Sequence, residues 1–223
     1  MRGLLFFVAL PILIAVGGVS QGAGQQQCAY LKLPYDPANA LVSPDGTYAL
    51  FGPGGGRSEL WLEDRRTHQR KMVFKVTLQT LTLAWSPDST AFIANDRVAS
   101  DLEIAYIYDA KTLHRLDLRS RIVAADPGAI RFFEPGQINV APVFAPNDKI
   151  PTTSHVHAIQ WLDAHHVEVK LVGHTAGIMV GKSVEGGDCF ALRYRVSRAG
   201  EVQKLSQRVV PIDDSTGCGA MEE

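Results

Sequence analysis

The feature that most constrains the fold is a turn-and-strand motif that occurs twice at a fixed spacing. Residues 43–47 read Ser-Pro-Asp-Gly-Thr and residues 86–90 read Ser-Pro-Asp-Ser-Thr, so the second copy begins 43 residues after the first. Asp45 and Asp88 can accept hydrogen bonds from the backbone just ahead of them, and Gly46 permits a positive φ. A short apolar run follows each copy. The motif therefore predicts a sharp turn that leads into a strand, used twice.

A second block repeats downstream of each turn. Residues 59–64 run on to Thr67 and residues 104–109 run on to Thr112, so these blocks lie 45 residues apart. Each predicts a strand, a turn and a return strand, with return strands at 70–76 and 113–118 and hairpin connectors at 52–56 and 94–96. A period of about 40–45 residues is typical of a β-propeller blade. We predict an all-β fold, a small or partial β-propeller of four-stranded antiparallel blades, with a β-sandwich as the alternative.

A third, degenerate copy lies nearer the C-terminus. Residues 158–164 resemble residues 83–88, and residues 190–196 alternate so that Leu192, Tyr194 and Val196 face the core. Trp161 follows Trp85 by 76 residues, so an insertion or an eroded blade is expected near 120–153. The three tryptophans, at 61, 85 and 161, are predicted to lie in the core.

The Ser-Pro-Asp-Gly turn with a downstream Asp-x-x-Thr block resembles the TolB-type, WD-repeat-like propeller repeats of exported bacterial proteins. The resemblance is clearest over residues 40–118, and Ser89 departs from the pattern because glycine is usual there. It implies four-stranded antiparallel blades and a binding or scaffolding role. It implies no catalytic residue at any position of this chain.

The first residues indicate a targeting segment. Arg2 precedes an apolar run of 16 residues, 4–19, which Pro11 interrupts, and small residues follow near Gly22 and Ala23. A membrane-spanning helix needs about 20 apolar residues, so the run favours a cleaved signal peptide over an uncleaved anchor. We predict a signal peptide at 1–23, an N-terminal lead-in at 24–39, a propeller-like domain at 40–212 and a C-terminal tail at 213–223. The protein is then exported, to the periplasm or the extracellular space.

The charge balance bounds the partners. The chain has 22 Lys and Arg against 23 Asp and Glu, a net charge of −1. This balance gives no electrostatic footprint for nucleic acid or an anionic membrane, and no membrane span is expected after signal removal. A protein or cell-envelope partner is expected instead, and oligomers could form through open sheet edges.

The chain has three cysteines, Cys28, Cys189 and Cys218. In an exported chain this number predicts one disulfide and one remaining thiol. All three pairings are open, and Cys189–Cys218 is favoured because it would tie the tail to the last strands.

Five of the seven histidines fall within residues 155–174. On one strand His155 and His157 would point to the same face about 6.5–7 Å apart, a usable spacing for zinc ligands, and a third ligand could come from His174 or from the turn at 165–166. No cysteine or carboxylate completes a recognisable motif. The prediction is therefore no cofactor, with zinc as the alternative.

No Gly-x-Ser-x-Gly nucleophile motif occurs, and no catalytic or cofactor-binding residue is predicted. The sequence favours an exported binding or scaffolding module. The alternative is a secreted metal-binding protein or metal-dependent hydrolase that uses the His155–His174 cluster.

Overall fold

The computed structural model describes residues 29–32, 40–52, 58–76, 80–99, 102–132, 149–150, 153–175, 177–180, 183–185, 187–211 and 218. These residues form an all-β structure of mainly antiparallel sheets with one short α-helix and one 3-10 helix, so the all-β part of the prediction is confirmed. Within these ranges no helix has the length and apolar character needed to cross a bilayer. The predicted signal peptide and Cys28 lie outside them.

Strand β1 spans Ala29–Lys32, and the first four-stranded unit follows it. Its strands are β2 (Leu41–Val42), β3 (Tyr48–Phe51), β4 (Glu59–Asp64) and β5 (Gln69–Lys75). They pair antiparallel in chain order. Alternate residues of β4 are buried, because one face of the unit packs on a neighbour.

The second unit has the same design. Its strands are β6 (Thr80–Trp85), β7 (Ala91–Ala99), β8 (Leu102–Asp109) and β9 (Arg115–Asp117). The registers coincide, because Val42 pairs with Ala49 in the first unit and Trp85 pairs with Phe92 in the second. The repeat predicted from spacing is therefore present in the strand pairing. The N-terminal strand β1 adds to the open edge of β6, a pairing that the sequence did not indicate.

A short helical segment follows β9. The side chain of Asp117 accepts a hydrogen bond from the Ser120 amide at 3.1 Å and caps α1 (Leu118–Ala125). Leu118 and Ile122 of this helix are fully buried. A 3-10 helix follows at Pro127–Phe132. Both lie at or near the start of the segment in which an insertion was expected, and residues 133–148 lie outside the described ranges.

The third unit is built from later strands. After β10 (Lys149–Ile150) come β11 (Thr153–Trp161), β12 (His166–His174), β13 (Gly177–Val180), β14 (Ser183–Glu185), β15 (Asp188–Ser197) and β16 (Val202–Pro211). Strands β11, β12, β15 and β16 pair antiparallel as the third unit, and β10, β13 and β14 form a small separate sheet. A short parallel contact between β8 and β11 joins the second and third units.

The three units pack face to face. Phe92 belongs to the apolar cluster between the first and second units, and its neighbour Ile93 belongs to the cluster between the second and third. Successive strand residues point to opposite faces, so the second unit contributes to both clusters. As expected, Leu192, Tyr194 and Val196 are buried in the second of them.

One hydrogen bond recurs between neighbouring units. Trp85 of the second unit donates from Nε1 to the carbonyl of Leu41 at 3.0 Å, and Trp161 of the third unit donates to the carbonyl of Ala84 at 3.2 Å. Leu41 and Ala84 occupy the same position of the repeat. The second and third units are therefore each fixed to the preceding unit by a tryptophan Nε1 that donates to an equivalent backbone carbonyl.

Two expectations were wrong. Residues 94–96 are not a hairpin connector, because β7 continues to Ala99. Asn95 is accommodated there because its buried amide donates to Thr82 Oγ1 at 2.7 Å and to the Ala158 carbonyl at 3.0 Å. Trp61 is not in the core, because it lies half-buried with its Nε1 bonded to Glu59 at 3.0 Å.

Candidate binding surface

The first predicted turn is held by its aspartate. Asp45 Oδ1 accepts hydrogen bonds from Ser43 Oγ at 2.7 Å and from the Thr47 amide at 2.9 Å, while Oδ2 accepts from Thr47 Oγ1 at 2.7 Å. Gly46 adopts φ +75°, which glycine reaches without a steric penalty. The hydrogen bonds from Thr47, chiefly that of its hydroxyl, hold the pKa of Asp45 far below its usual range.

The second turn repeats this geometry despite Ser89. Asp88 accepts from Ser86 Oγ at 2.6 Å and from Thr90 Oγ1 at 2.7 Å. Ser89 adopts φ 62° in place of glycine, and its hydroxyl accepts a hydrogen bond from the Asp45 amide at 3.0 Å. Burial would raise the pKa of Asp88, but the hydrogen bonds from Ser86 and Thr90 outweigh it and the pKa is lowered. The departure from glycine thus supplies a contact between the two turns.

The third turn aligns with these two through its backbone. Amides of Arg65, Ala110 and Arg198 donate to the carbonyls of Thr47, Thr90 and His165 at 2.8, 2.9 and 2.8 Å, respectively. This alignment makes Asp163 the equivalent of Asp45 and Asp88. Asp163 accepts from the amides of His165 and His166 at 2.7 and 2.9 Å. Because each of these aspartates accepts hydrogen bonds that hold its own turn, we assign them a structural role.

The candidate zinc ligands occupy neighbouring strands. In the register of β11 and β12, His155 pairs with Val172 and His157 with Lys170, while His174 pairs with Thr153. His157 Nδ1 lies 3.0 Å from Glu103 Oε1, and His174 Nδ1 lies 3.2 Å from the Thr175 carbonyl. Among the described residues, no three His, Cys, Asp or Glu side chains are grouped closely enough to hold a metal ion. Zinc binding at His155, His157 and His174 stays a sequence-based hypothesis, and metal analysis of purified wild type and His155→Ala/His157→Ala protein tests it.

Cys189 and Cys218 form a disulfide with Cα atoms 5.5 Å apart. This is the pairing that the sequence favoured. Cys189 is fully buried on β15, so the bond attaches the chain near its C-terminus to the third unit.

One surface of the first unit turns away from the second unit, and neither apolar cluster between the described units includes it; we call this surface the free face. It contains a hollow of about 330 Å³ lined by Ala40, Val42, Ala49, Phe51, Glu63, Arg65 and Arg70. Ala49 and Phe51 are buried but belong to neither of the two apolar clusters between the units. Val42 is 40% exposed in the hollow, and Met72 of β5 is 45% exposed.

The two arginines beside this hollow differ in their contacts with carboxylates. Arg70 Nε donates to Glu63 Oε2 at 2.7 Å, and this bond is the largest cause of the lowered pKa of Glu63. The Arg70 guanidinium also lies 5.1 Å from the centre of the Phe51 ring. Arg65 donates to the Gly46 carbonyl at 3.2 Å and, among the described residues, forms no ion pair with a carboxylate. The hollow is therefore apolar at its base, with two arginines and one glutamate around it.

Sequence reasoning did not identify this surface. It singled out none of the residues Val42, Phe51 and Arg65. A signal was present in the repeat, because Val42 and Glu63 stand where the second unit has Trp85 and Tyr108. Positions that hold large core residues in the second unit hold a smaller or a charged residue in the first unit.

Comparison with known proteins adds little to this description. No protein-family model matches the chain, and no curated protein matches it significantly. Among solved structures, the tricorn protease is similar with a TM-score of 0.33 and 7% identity over 79% of this chain and 24% of that one. TolB from Acinetobacter baumannii is similar with a TM-score of 0.32 and 15% identity over 77% of this chain and 42% of that one. The chain thus spans less than half the length of either protein, and likenesses at these TM-scores carry no argument about fold or function.

Proposed function

We propose that this chain is an exported binding module, a partial β-propeller of repeated four-stranded blades, that binds another protein of the cell envelope without catalysing a reaction. The observation that carries the proposal is the free face of the first unit. The equivalent faces of the second and third units pack on a preceding unit, whereas this face keeps a hollow and an exposed Val42.

Three further observations support the proposal. Val42 and Met72 are exposed apolar residues on this one face, and grouped exposed apolar residues commonly mark interaction sites. The disulfide between Cys189 and Cys218 fits an oxidising compartment. The turn aspartates and Trp85 and Trp161 are used in local or inter-unit contacts, as expected of a scaffold.

Site-specific photo-cross-linking tests the binding role. A photoreactive amino acid is placed at residue 42, on the free face, and in a matched protein at residue 205, which is also exposed but lies on β16. We expect one stoichiometric partner from envelope extract to cross-link at 42 and not at 205. The absence of any specific cross-link at 42 would contradict binding through this face.

Export is tested separately. We expect N-terminal sequencing of the protein from the periplasm or medium to begin close to residues 23–24, as the small residues before that point predict. Recovery of the full-length chain in the cytosol would contradict export without bearing on the free face.

A further inference from the structure

The free face of the first unit is equivalent, residue by residue, to a face that is covered in the second unit. Positions 40, 42, 49 and 51 correspond to positions 83, 85, 92 and 94, which follow them by 43 residues, and positions 63 and 65 correspond to 108 and 110, which follow by 45. The strand registers coincide, because Phe51 pairs with Trp61 as Ala94 pairs with Tyr106. All six residues of the second unit lie in the apolar cluster shared with the first unit.

The differences between the two faces explain the hollow. Val42 stands in place of Trp85, and Ala49 in place of Phe92. Both aromatic side chains are fully buried and fill the space between units. Their smaller counterparts leave the hollow, and Val42 cannot donate the hydrogen bond that Trp85 gives to the preceding unit. A further unit of the same kind would therefore fit this face poorly.

The charged residues of the hollow indicate what fits it instead. Arg198 of the third unit occupies the position of Arg65, as the shared backbone hydrogen bond shows. Its guanidinium reaches across to the preceding unit and pairs with Asp88 Oδ2 at 3.3 Å and Asp109 Oδ2 at 3.6 Å. In the third unit, the arginine at this position therefore pairs with carboxylates of the unit that packs against its face. For Arg65 the described residues supply no such carboxylate.

We propose that the free face docks a segment of another protein that inserts a bulky apolar side chain into the hollow and presents an adjacent Asp or Glu to Arg65. The apolar group takes the place that Trp85 fills in the second unit. The carboxylate takes the place that Asp88 holds beside Arg198. Arg70, already paired with Glu63, contributes less to the choice of partner. This inference rests on the proposed binding function and specifies the chemistry of its partner.

The test selects random peptides displayed on phage against the mature protein, and then measures synthetic copies of the enriched peptides by fluorescence anisotropy. We expect the enriched peptides to share an aromatic or large aliphatic residue next to Asp or Glu. Val42→Trp, which fills the hollow with the residue of the second unit, should weaken their binding by tenfold or more, and Arg65→Glu should do the same. Leu205→Trp and Lys111→Glu are matched controls at exposed positions and should leave the affinity unchanged.

A charge swap makes the test specific. A peptide whose carboxylate is replaced by Lys should bind the Arg65→Glu protein better than it binds the wild type. If enriched peptides bind equally well to Val42→Trp, the proposed site is wrong while a binding function stands. If no peptide is enriched, the proposed partner chemistry is wrong. It is also wrong if sedimentation shows that the wild type self-associates and that Val42→Trp abolishes the self-association, because the occupant of the face is then a second copy of this chain. Circular dichroism of each variant verifies that it is folded.

Discussion

Single side chains in this protein repeat their contacts from unit to unit. Asp45, Asp88 and Asp163 each accept hydrogen bonds from the residues that follow them in a turn. Trp85 and Trp161 each donate to a carbonyl on the first strand of the preceding unit. Because these bonds are satisfied within the protein, removal of one partner leaves a polar group without its native partner.

The carboxylate of Asp45 should make stability depend on pH. Its pKa is lower in the folded protein than the unfolded value of about 3.9. Its stabilising effect is therefore complete above that value and is lost as the pH falls below it. Asp45→Asn should lower the free energy of unfolding by about 1 kcal/mol at neutral pH, a value reduced for the exposure of the side chain.

Urea titrations of wild type and Asp45→Asn from pH 7 to pH 3 measure this effect. The difference between the two proteins should be constant above about pH 5 and should narrow below about pH 4. A difference that widens on acidification would contradict the assignment.

Trp85→Phe should test the bond between units. The substitution keeps most of the ring but leaves the Leu41 carbonyl without its donor, so the free energy of unfolding should fall by about 2 kcal/mol. Trp61→Phe is the control, because Trp61 is half-buried and its Nε1 donates to the side chain of Glu59 within its own unit, and it should change stability by less than about 0.5 kcal/mol. Equal effects of the two substitutions would count against a special role of Trp85.

At the scale of elements, each strand depends on what covers its two faces. Strand β7 is buried on both faces over residues 91–96, polar Asn95 included, and it continues as a strand to Ala99. Strand β16 has exposed residues along most of its length because it is the outer strand of its unit. Helix α1 is only eight residues long, and Leu118 and Ile122 attach it to the cluster between the second and third units.

The disulfide should stabilise the third unit. It joins residues 29 apart in sequence, and closing a loop of that length in the unfolded chain is expected to contribute about 3.5 kcal/mol. Cys189→Ala/Cys218→Ala should lower the melting temperature under oxidising conditions. A reducing agent should lower the melting temperature of the wild type to that of the variant and should leave the variant unchanged. An equal response of both proteins would show that the reducing agent does not act through this disulfide.

At the scale of the whole molecule, the second unit lies between two apolar clusters. Adjacent residues on a strand of the second unit therefore belong to different interfaces. Unfolding of the second unit would expose both interfaces to water. This arrangement predicts that the three units unfold together.

Phe92→Ala and Ile93→Ala test this cooperativity. Phe92 is buried against the first unit and Ile93 against the third. Each substitution should lower stability by about 3 kcal/mol in a single transition that tryptophan fluorescence and circular dichroism report together. A biphasic curve for either variant would show that the units are independent.

The sequence by itself determined the local features of this protein. The spacing of Asp45 and Asp88 predicted two turns at equivalent positions, and alternation predicted the buried face of Leu192, Tyr194 and Val196. These features depend on residues that are close together in the chain. Turn-forming residue types and the alternation of buried and exposed positions therefore appear directly in the sequence.

Only the tertiary structure decided which faces meet. The addition of β1 to β6, the contact of Asn95 with Ala158 and the equivalence of Arg65 with Arg198 depend on residues far apart in the chain. The hollow beside Val42 also required the stacking of units, because a small residue marks a free face only when its covered counterpart is known. Contacts of this kind depend on how the faces fit together, and no local pattern records that fit.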